Sequence, residues 1–274
     1  DGNAKTAVSK GISAMIWAYA DGIKKKAATG LAGFCPDCHN PLIPKCGEIN
    51  VHHWSHWGDR NCDLWAEPET PWHFERKTWL PEEWQEVTVG KHRADVKTPT
   101  TVIEFQHSSI SPGEIREREA HYGNMVWVVD TAPFKKNLQP SWPKPWSLMQ
   151  KAEVEAEQDV LLGRSSYIEL YHHKRPKHSA QYIWRWLRKS WLSASKPLYL
   201  DLGWSSDENN SGFWREIKPV GMLLLVKRFG SVYDWYTGWA DGVVGSLVDY
   251  QVLINSTVPA SQRKYVSIDK NDSV

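Results

Sequence analysis

From Thr70 to Asp130 the chain runs in short apolar blocks, each closed by Pro, Gly or a polar turn. TPWHFERKTWL opens with Thr70 as a helix cap and Pro71 at the first helical position, which predicts a helix to about Leu80. WQEVTV and HRADV read as short strands, KTPTT as a turn and TVIEFQ as a third strand. Ser111 and Pro112 open a second helix, PGEIREREAHYG, which stops at Gly123. NMVWVVD is a continuous apolar run and predicts an interior strand. The element order is αβββαβ.

Upstream, SAMIWAYAD (Ser13 to Asp21) predicts a strand leading into a basic turn at Lys24 to Lys26. Downstream, TAPFKKNLQPSWPKPW (Thr131 to Trp146) is rich in Pro and predicts a linker or surface loop. QKAEVEAEQDVLL predicts a helix, and SSYIELYHH, PLYLDLGW and GMLLLVKRF predict strands. In YIWRWLRKSW, Ile183, Trp184, Leu187 and Trp191 fall on a helix-like stripe. The organisation expected is an N-terminal segment over residues 1–66, a core over 67–130, a linker over 131–147 and a basic, Trp-rich α/β region over 148–274.

One strand breaks its own pattern. Glu104 and Gln106 sit among the apolar residues of TVIEFQ and share a face, because they are two apart. A buried carboxylate beside an amide is costly, by several kcal/mol, unless something pairs with them. A divalent cation such as Mg²⁺ or Mn²⁺ is one such partner. If HRADV and TVIEFQ form a hairpin, Asp95 converges with Glu104 on one sheet edge. That makes a metal pocket of the kind used to hydrolyse phosphodiesters. Glu69, His73 and Lys77 line one stripe of the preceding helix. Glu69 is placed to complete a metal shell, His73 to position water or phosphate, and Lys77 to neutralise phosphate charge. Taken alone, Asp95 reads as a turn aspartate and Glu104 as a partner for Arg93 or Arg116.

A second constellation lies in FCPDCHNPLIPKCGEINVHHWSHWGDRNCD, Phe34 to Asp63. Cys35 and Cys38 form C-x-x-C, followed by His52, His53, His56 and Cys62. In a secreted chain four cysteines suit two disulfides; beside clustered histidines they suit a structural zinc ion. The candidate ligands are four of Cys35, Cys38, His53, His56 and Cys62, with Cys46 as a plain buried thiol. Such a closed site implies structure rather than catalysis.

These motifs together resemble a known family. Asp, then Glu-x-Lys on an αβββαβ core, is the PD-(D/E)xK nuclease pattern. CPDC, HWSH, EPETPWHFERK, HRADV, IEFQHSSIS and REREAHY, in that order, resemble the CoiA-like competence nucleases over about Ile12 to Asp130. The resemblance implies an α/β (α+β) restriction-endonuclease-like core with an N-terminal zinc-binding segment and a C-terminal α/β extension. It implies a DNase whose catalytic Mg²⁺ or Mn²⁺ is held by Asp95 and Glu104, with Glu69 and His73 on the helix motif. Gln106 stands where the general pattern has Lys, so it can orient water but brings no charge.

Composition narrows the partners only locally. Lys and Arg number 33 against 32 acidic residues, so a DNA contact needs a local patch. Arg118 and Tyr122 are four apart on the second helix and can face a phosphate, or Arg118 can pair with a helix glutamate. HHKRPKHSAQYIWRWLRKSW is basic without acids, and Arg185, Arg188 and Lys189 suit a phosphate backbone with Trp186 as a stacking ring. The 17 tryptophans otherwise suit thin cores. No apolar run approaches membrane-spanning length and the start has no signal-peptide pattern, so a cytoplasmic protein without a membrane partner is expected. The rival readings are a zinc-anchored DNA-binding protein that has lost catalysis, favoured by Gln106, and a protein-binding scaffold built on the C-terminal region.

Overall fold

Alternating side chains fold the N-terminal stretch into a sheet around one tryptophan. The computed structural model describes residues 14–49, 51–57, 62, 63, 65, 69–141, 180–203, 222–234 and 238–266. Six strands, β1 (Ala14–Met15), β2 (Trp17–Ala20), β3 (Ile23–Lys26), β4 (Gly33–Phe34), β5 (Pro41–Lys45) and β6 (His53–His56), pair antiparallel in the order β1-β6-β5-β4-β2-β3. Trp54 is fully buried among Met15, Ala18, Ala27, Cys35 and Leu42, and its indole N–H donates to the Lys25 carbonyl at 2.9 Å. Its ring leaves no room for a side chain on β4, since a Cβ on Gly33 would stand 2.9 Å from the ring. This core is small, and three further cysteines, Cys38, Cys46 and Cys62, pack against it.

Two expectations are corrected here. The strand over Ser13 to Asp21 is divided at Ile16, whose amide is drawn off to the Glu86 carboxylate. Lys24 to Lys26 are strand, and the turn is made by Asp21 and Gly22, both with positive φ.

The next elements are α1 (Pro71–Thr78), β7 (Gln85–Val89), β8 (His92–Lys97), β9 (Val102–Gln106), α2 (Pro112–Tyr122) and β10 (Met125–Asp130), so the order αβββαβ stands along the chain. Thr70 caps α1 as expected, its hydroxyl accepting from the His73 amide, with Pro71 in the first turn. β7, β8 and β9 form an antiparallel meander. The turn between β8 and β9 is tied down by a distant carbonyl. Thr98 and Thr100 both donate to the Thr257 carbonyl, at 2.7 and 3.0 Å.

The described residues divide into two compact units. Those up to Ser109, with Tyr122–Met125 and those from Ile254 onward, form the first; Ile110–His121 and those between Val126 and Leu253 form the second. The second unit adds β11 (Leu138–Pro140), β12 (Ala180–Trp184), β13 (Leu198–Asp201), β14 (Met222–Asp234) and β15 (Gly238–Asp249), in the order β11-β12-β15-β14-β13-β10. β10 and β13 are parallel and the other pairs antiparallel. Its core holds Trp127, Trp184, Trp191, Leu200, Leu223 and Val243. A third helix, α3, spans Tyr250–Thr257. The described residues thus form a mixed α+β structure, mostly sheet.

The helical reading of YIWRWLRKSW is overturned. Ile183 and Trp184 end β12, a strand paired on both sides and buried on both faces, so its apolar run is continuous. Trp186 then turns the chain at φ +55°, and Lys189–Ser193 form a 3₁₀ turn. Thr131 to Ser141, expected as linker, hold 3₁₀ turns over Ala132–Asn137 and then β11, anchored by buried Phe134 and Leu138. The segments QKAEVEAEQDVLL and SSYIELYHH lie outside the described residues. Among the described residues no helix is long and apolar enough to cross a membrane.

In the second unit, Glu119 accepts from the Ser195 hydroxyl at 2.6 Å, the Ser195 and Lys196 amides, and the Trp127 indole. Burial pushes its carboxyl up, but these donors outweigh it and hold it below the ordinary value. A lowered carboxylate contributes stability above its unfolded pKa and loses it as pH falls through the folded one. Denaturant unfolding of this unit should therefore weaken below about pH 4.5 in the wild type. Glu119→Gln should be less stable at neutral pH and show a flatter acid limb.

Candidate functional site

The Cys/His segment brings four ligand atoms to one point. Cys35 follows β4 and starts a tight loop in which the His39 amide donates to the Cys35 carbonyl at 3.0 Å and His39 adopts φ +56°. Cys38 thereby returns beside Cys35. His56 arrives from β6, and Cys62 from beyond it. The donor atoms of Cys35, Cys38, His56 and Cys62 all lie within 4.8 Å of one another. Cys35 and Cys62 sulfurs are 3.6 Å apart, and Cys38 sulfur is 3.2 Å from His56 Nε2. Tetrahedral zinc sets its ligand sulfurs about 3.7 Å apart, so the four residues can hold a zinc ion. The Cys62 hydrogen bond draws the Cys35 thiol down to about 5, and Cys35 pushes Cys62 up.

The choice among the five candidates follows from strand alternation. His53 and His56 are three apart on β6 and project to opposite faces. His53 instead places Nδ1 against the Val51 carbonyl at 2.8 Å. Cys46 packs against the core and is outside the cluster.

The carboxylates come from the meander. The β7–β8 register pairs Gln85 with Val96 and Val87 with Ala94, and the β8–β9 register pairs Val96 with Ile103. Glu86, Asp95 and Glu104 therefore stand in one row across three strands. Three like charges side by side open the ladder. The side chains take up the freed amides: Asp95 N–H donates to Glu104 Oε1 at 3.2 Å, and Phe105 N–H to Asp95 Oδ2 at 2.9 Å. Glu86 leaves the ladder at φ +48°, a left-handed conformation that costs a side chain-bearing residue about 1–2 kcal/mol. In return its carboxylate accepts from the amides of Ile16 and Trp17 at 2.9–3.0 Å.

Lys77 is the cation of this group. Its Nζ lies 2.6 Å from Glu69, 3.0 Å from Glu86 and 3.7 Å from Asp95. Lys77, Glu69 and Glu86 side chains are only 2–3% exposed, whereas Asp95 is 25% exposed. The carboxylates hold the Lys77 ammonium protonated against burial. One ammonium cannot neutralise them all. Glu86, with its amide donors and the cations Lys77 and Arg93, stays ionised below the ordinary range despite burial. Glu69 lacks such donors, its Oε1 is buried without a partner, and burial pushes its carboxyl up to about 7. An orphaned carboxylate oxygen within a surplus of negative charge suits a hard divalent cation.

The remaining candidates are placed as follows. His73 is buried and clamps α1 to β9, with Nε2 at 2.8 Å from the Phe105 carbonyl and Nδ1 at 3.0 Å from the Thr70 hydroxyl. Both ring nitrogens are thus engaged by protein, away from water or phosphate. Gln106 is buried and donates to the Ser108 carbonyl at 3.3 Å. Arg118 is buried, bound to Glu114 at 2.6 Å and set over the Trp127 ring. Tyr122 meets the Trp65 ring edge-on. In the second unit Arg185, Trp186 and Lys189 are exposed, Trp186 by 83%, and Arg188 lies over the Phe134 ring at 4.4 Å.

Sequence reasoning missed Glu86. The signal was present, since a WQEVTV–HRADV hairpin in this register sets Glu86 opposite Asp95.

Two outcomes follow. Metal analysis of purified protein should give one zinc per chain, retained in Cys46→Ser and His53→Ala and lost in Cys38→Ser and His56→Ala. Lys77→Met leaves buried carboxylates uncompensated and should destabilise by about 3–5 kcal/mol in denaturant unfolding.

Residues 23–64 match the family model described as competence protein CoiA, N-terminal domain, a stretch that runs from β3 past β6 and contains all four members of the Cys/His cluster. No curated protein and no solved structure matches the chain. The chain is thus similar to the CoiA N-terminal domain in the part that carries its Cys/His cluster.

Proposed function

We propose that this chain is a divalent-metal-dependent nuclease acting on DNA, built on a restriction-endonuclease-like core. The observation that carries this reading is the row Glu86–Asp95–Glu104, with Glu69 beside it and one buried lysine to balance them. Asp95 and Glu104 would hold a Mg²⁺ or Mn²⁺ ion, and Glu69 would lend its unpartnered oxygen. When bound, such an ion activates a water and stabilises charge on the scissile phosphate.

The chain's own residues do the rest. Glu86 holds Lys77 charged and in place together with Glu69, through salt bridges of 3.0 and 2.6 Å. Lys77 brings positive charge to a group where the β9 motif supplies none, because Gln106 stands in the lysine position. His73 fixes the register of α1 on β9, and so the placing of Glu69 and Lys77 relative to Glu104. The exposed Arg185, Trp186 and Lys189 offer a phosphate-binding and stacking turn on the second unit. The likeness to the CoiA N-terminal domain fits a role in handling incoming or recombining DNA; processing of mobile-element or phage DNA suits the same chemistry.

A second reading is a DNA-binding protein without catalysis. It is favoured by Gln106 and by Lys77, which already sits among the carboxylates that would hold the ion.

Labelled linear and circular DNA, single- and double-stranded, separates the two. On the first reading the wild type cuts with Mg²⁺ or Mn²⁺ and not in EDTA, and Asp95→Ala and Glu104→Ala each lose at least about a hundredfold in rate, or ~2.7 kcal/mol of barrier. DNA binding that persists in EDTA, with no cutting under any metal, selects the second.

A further inference from the structure

Each of the two segments that supply cysteines to the Cys/His cluster carries an aspartate that reaches the meander, and Asp37 touches both sides, its Oδ2 also lying 3.9 Å from Cys35 Sγ. Asp37 lies between Cys35 and Cys38, and Asp63 follows Cys62. Asp37 Oδ2 accepts from Arg93 Nη1 at 2.7 Å, and its Oδ1 accepts from the Thr88 hydroxyl. Asp63 Oδ2 accepts from the Arg93 amide at 2.7 Å, and its Oδ1 lies 2.8 Å from His92 Nδ1. Both segments therefore close on the same short piece of β8. Thr88 and Arg93 are direct cross-strand partners. Their row adjoins the Glu86–Asp95–Glu104 row on the same face of the meander, because side chains two apart share a face.

The Arg93 side chain is 6% exposed. Burial pulls its guanidinium down, but Glu86, Asp37, Cys35 and Asp63 all act on it and hold it protonated. Its electrostatic neighbours thus include a member of the carboxylate row and a member of the Cys/His cluster.

We propose that Arg93 is a positioning residue that couples the two centres: a zinc ion in the Cys/His cluster fixes Asp37 and Asp63, and these fix β8 at Asp95 through the Arg93 side chain and amide. The coupling rests on the reading of the carboxylate row as a metal site, and it adds a role for the zinc segment within that site. A zinc ion ties Cys62 to the Cys35–Cys38 loop and so holds Asp63 and Asp37 in one arrangement. Loss of the ion frees both segments, and a charge-assisted bond survives only while both partners are held.

Two amides report the outcome without any cleavage assay. Asp95 N–H donates to Glu104 and Phe105 N–H to Asp95, so their hydrogen exchange reads the carboxylate geometry. Exchange is followed by NMR on the full chain, with β14 amides as the control for global unfolding. Stripping zinc with a chelator should speed exchange at both amides by about tenfold or more. Asp37→Asn should do the same with zinc content unchanged, and added zinc should not reverse it. Thr88→Val, which removes one contact of Asp37, should give a smaller change in the same direction and serves if Asp37→Asn does not fold. Wild-type protection at both amides in zinc-loaded Asp37→Asn and Thr88→Val, or in zinc-stripped wild type, overturns the coupling. A wild type that never cuts DNA would refute the nuclease reading and leave these exchange rates to decide the coupling separately.

Discussion

Lys77 is buried with more negative charge than it can neutralise, and the first unit is arranged around that imbalance. An isolated buried carboxylate is costly enough that it normally finds a partner or takes up a proton. Here the three acidic residues around Lys77 are treated differently. Glu86 is given backbone amides from the β1–β2 break. Asp95 reaches toward solvent and takes one amide from the neighbouring strand. Glu69 is given only the lysine among the described residues. Local features otherwise hard to explain follow from this division: the break at Ile16, the left-handed backbone of Glu86 and the opening of the β8–β9 ladder.

The small N-terminal sheet belongs to the same arrangement. Its core is built on one tryptophan and a handful of small or sulfur-bearing residues, too little to stand without a cross-link. It also supplies two amides to Glu86, the Trp17 indole to Gln85 at 3.0 Å, and the Lys24 ammonium to the Glu82 carbonyl at 2.9 Å. Its polar atoms thus help to fix β7. The similarity to the CoiA N-terminal domain falls on this part of the chain.

Much of this was legible in the sequence where local chemistry decides. Thr70 and Pro71 announced α1, and the β-branched run around Glu104 and Gln106 announced β9. The C-x-x-C pair marked the Cys/His cluster. What escaped depends on register and on contacts distant in sequence. Spacing alone keeps both His53 and His56 as candidates; as a strand HWSH excludes His53 by alternation. Glu86 looked like an ordinary polar position in WQEVTV, because nothing local shows that it faces Asp95 across a hairpin. The Trp-rich YIWRW mimicked a helix because a strand buried on both faces loses the two-residue period that would identify it.

The bonds from Thr98 and Thr100 to the Thr257 carbonyl span 159 and 157 residues. Thr98 and Thr257 are both buried, so this is an internal fastening of the turn that joins the Asp95 and Glu104 strands. A ribosome delivers chain in order, at roughly 5–20 residues per second. The turn must therefore wait about 8 to 30 seconds after its own synthesis for the acceptor that secures it. During that interval the nascent chain carries the acidic residues of β7, β8 and β9 with the β8–β9 turn still unfastened.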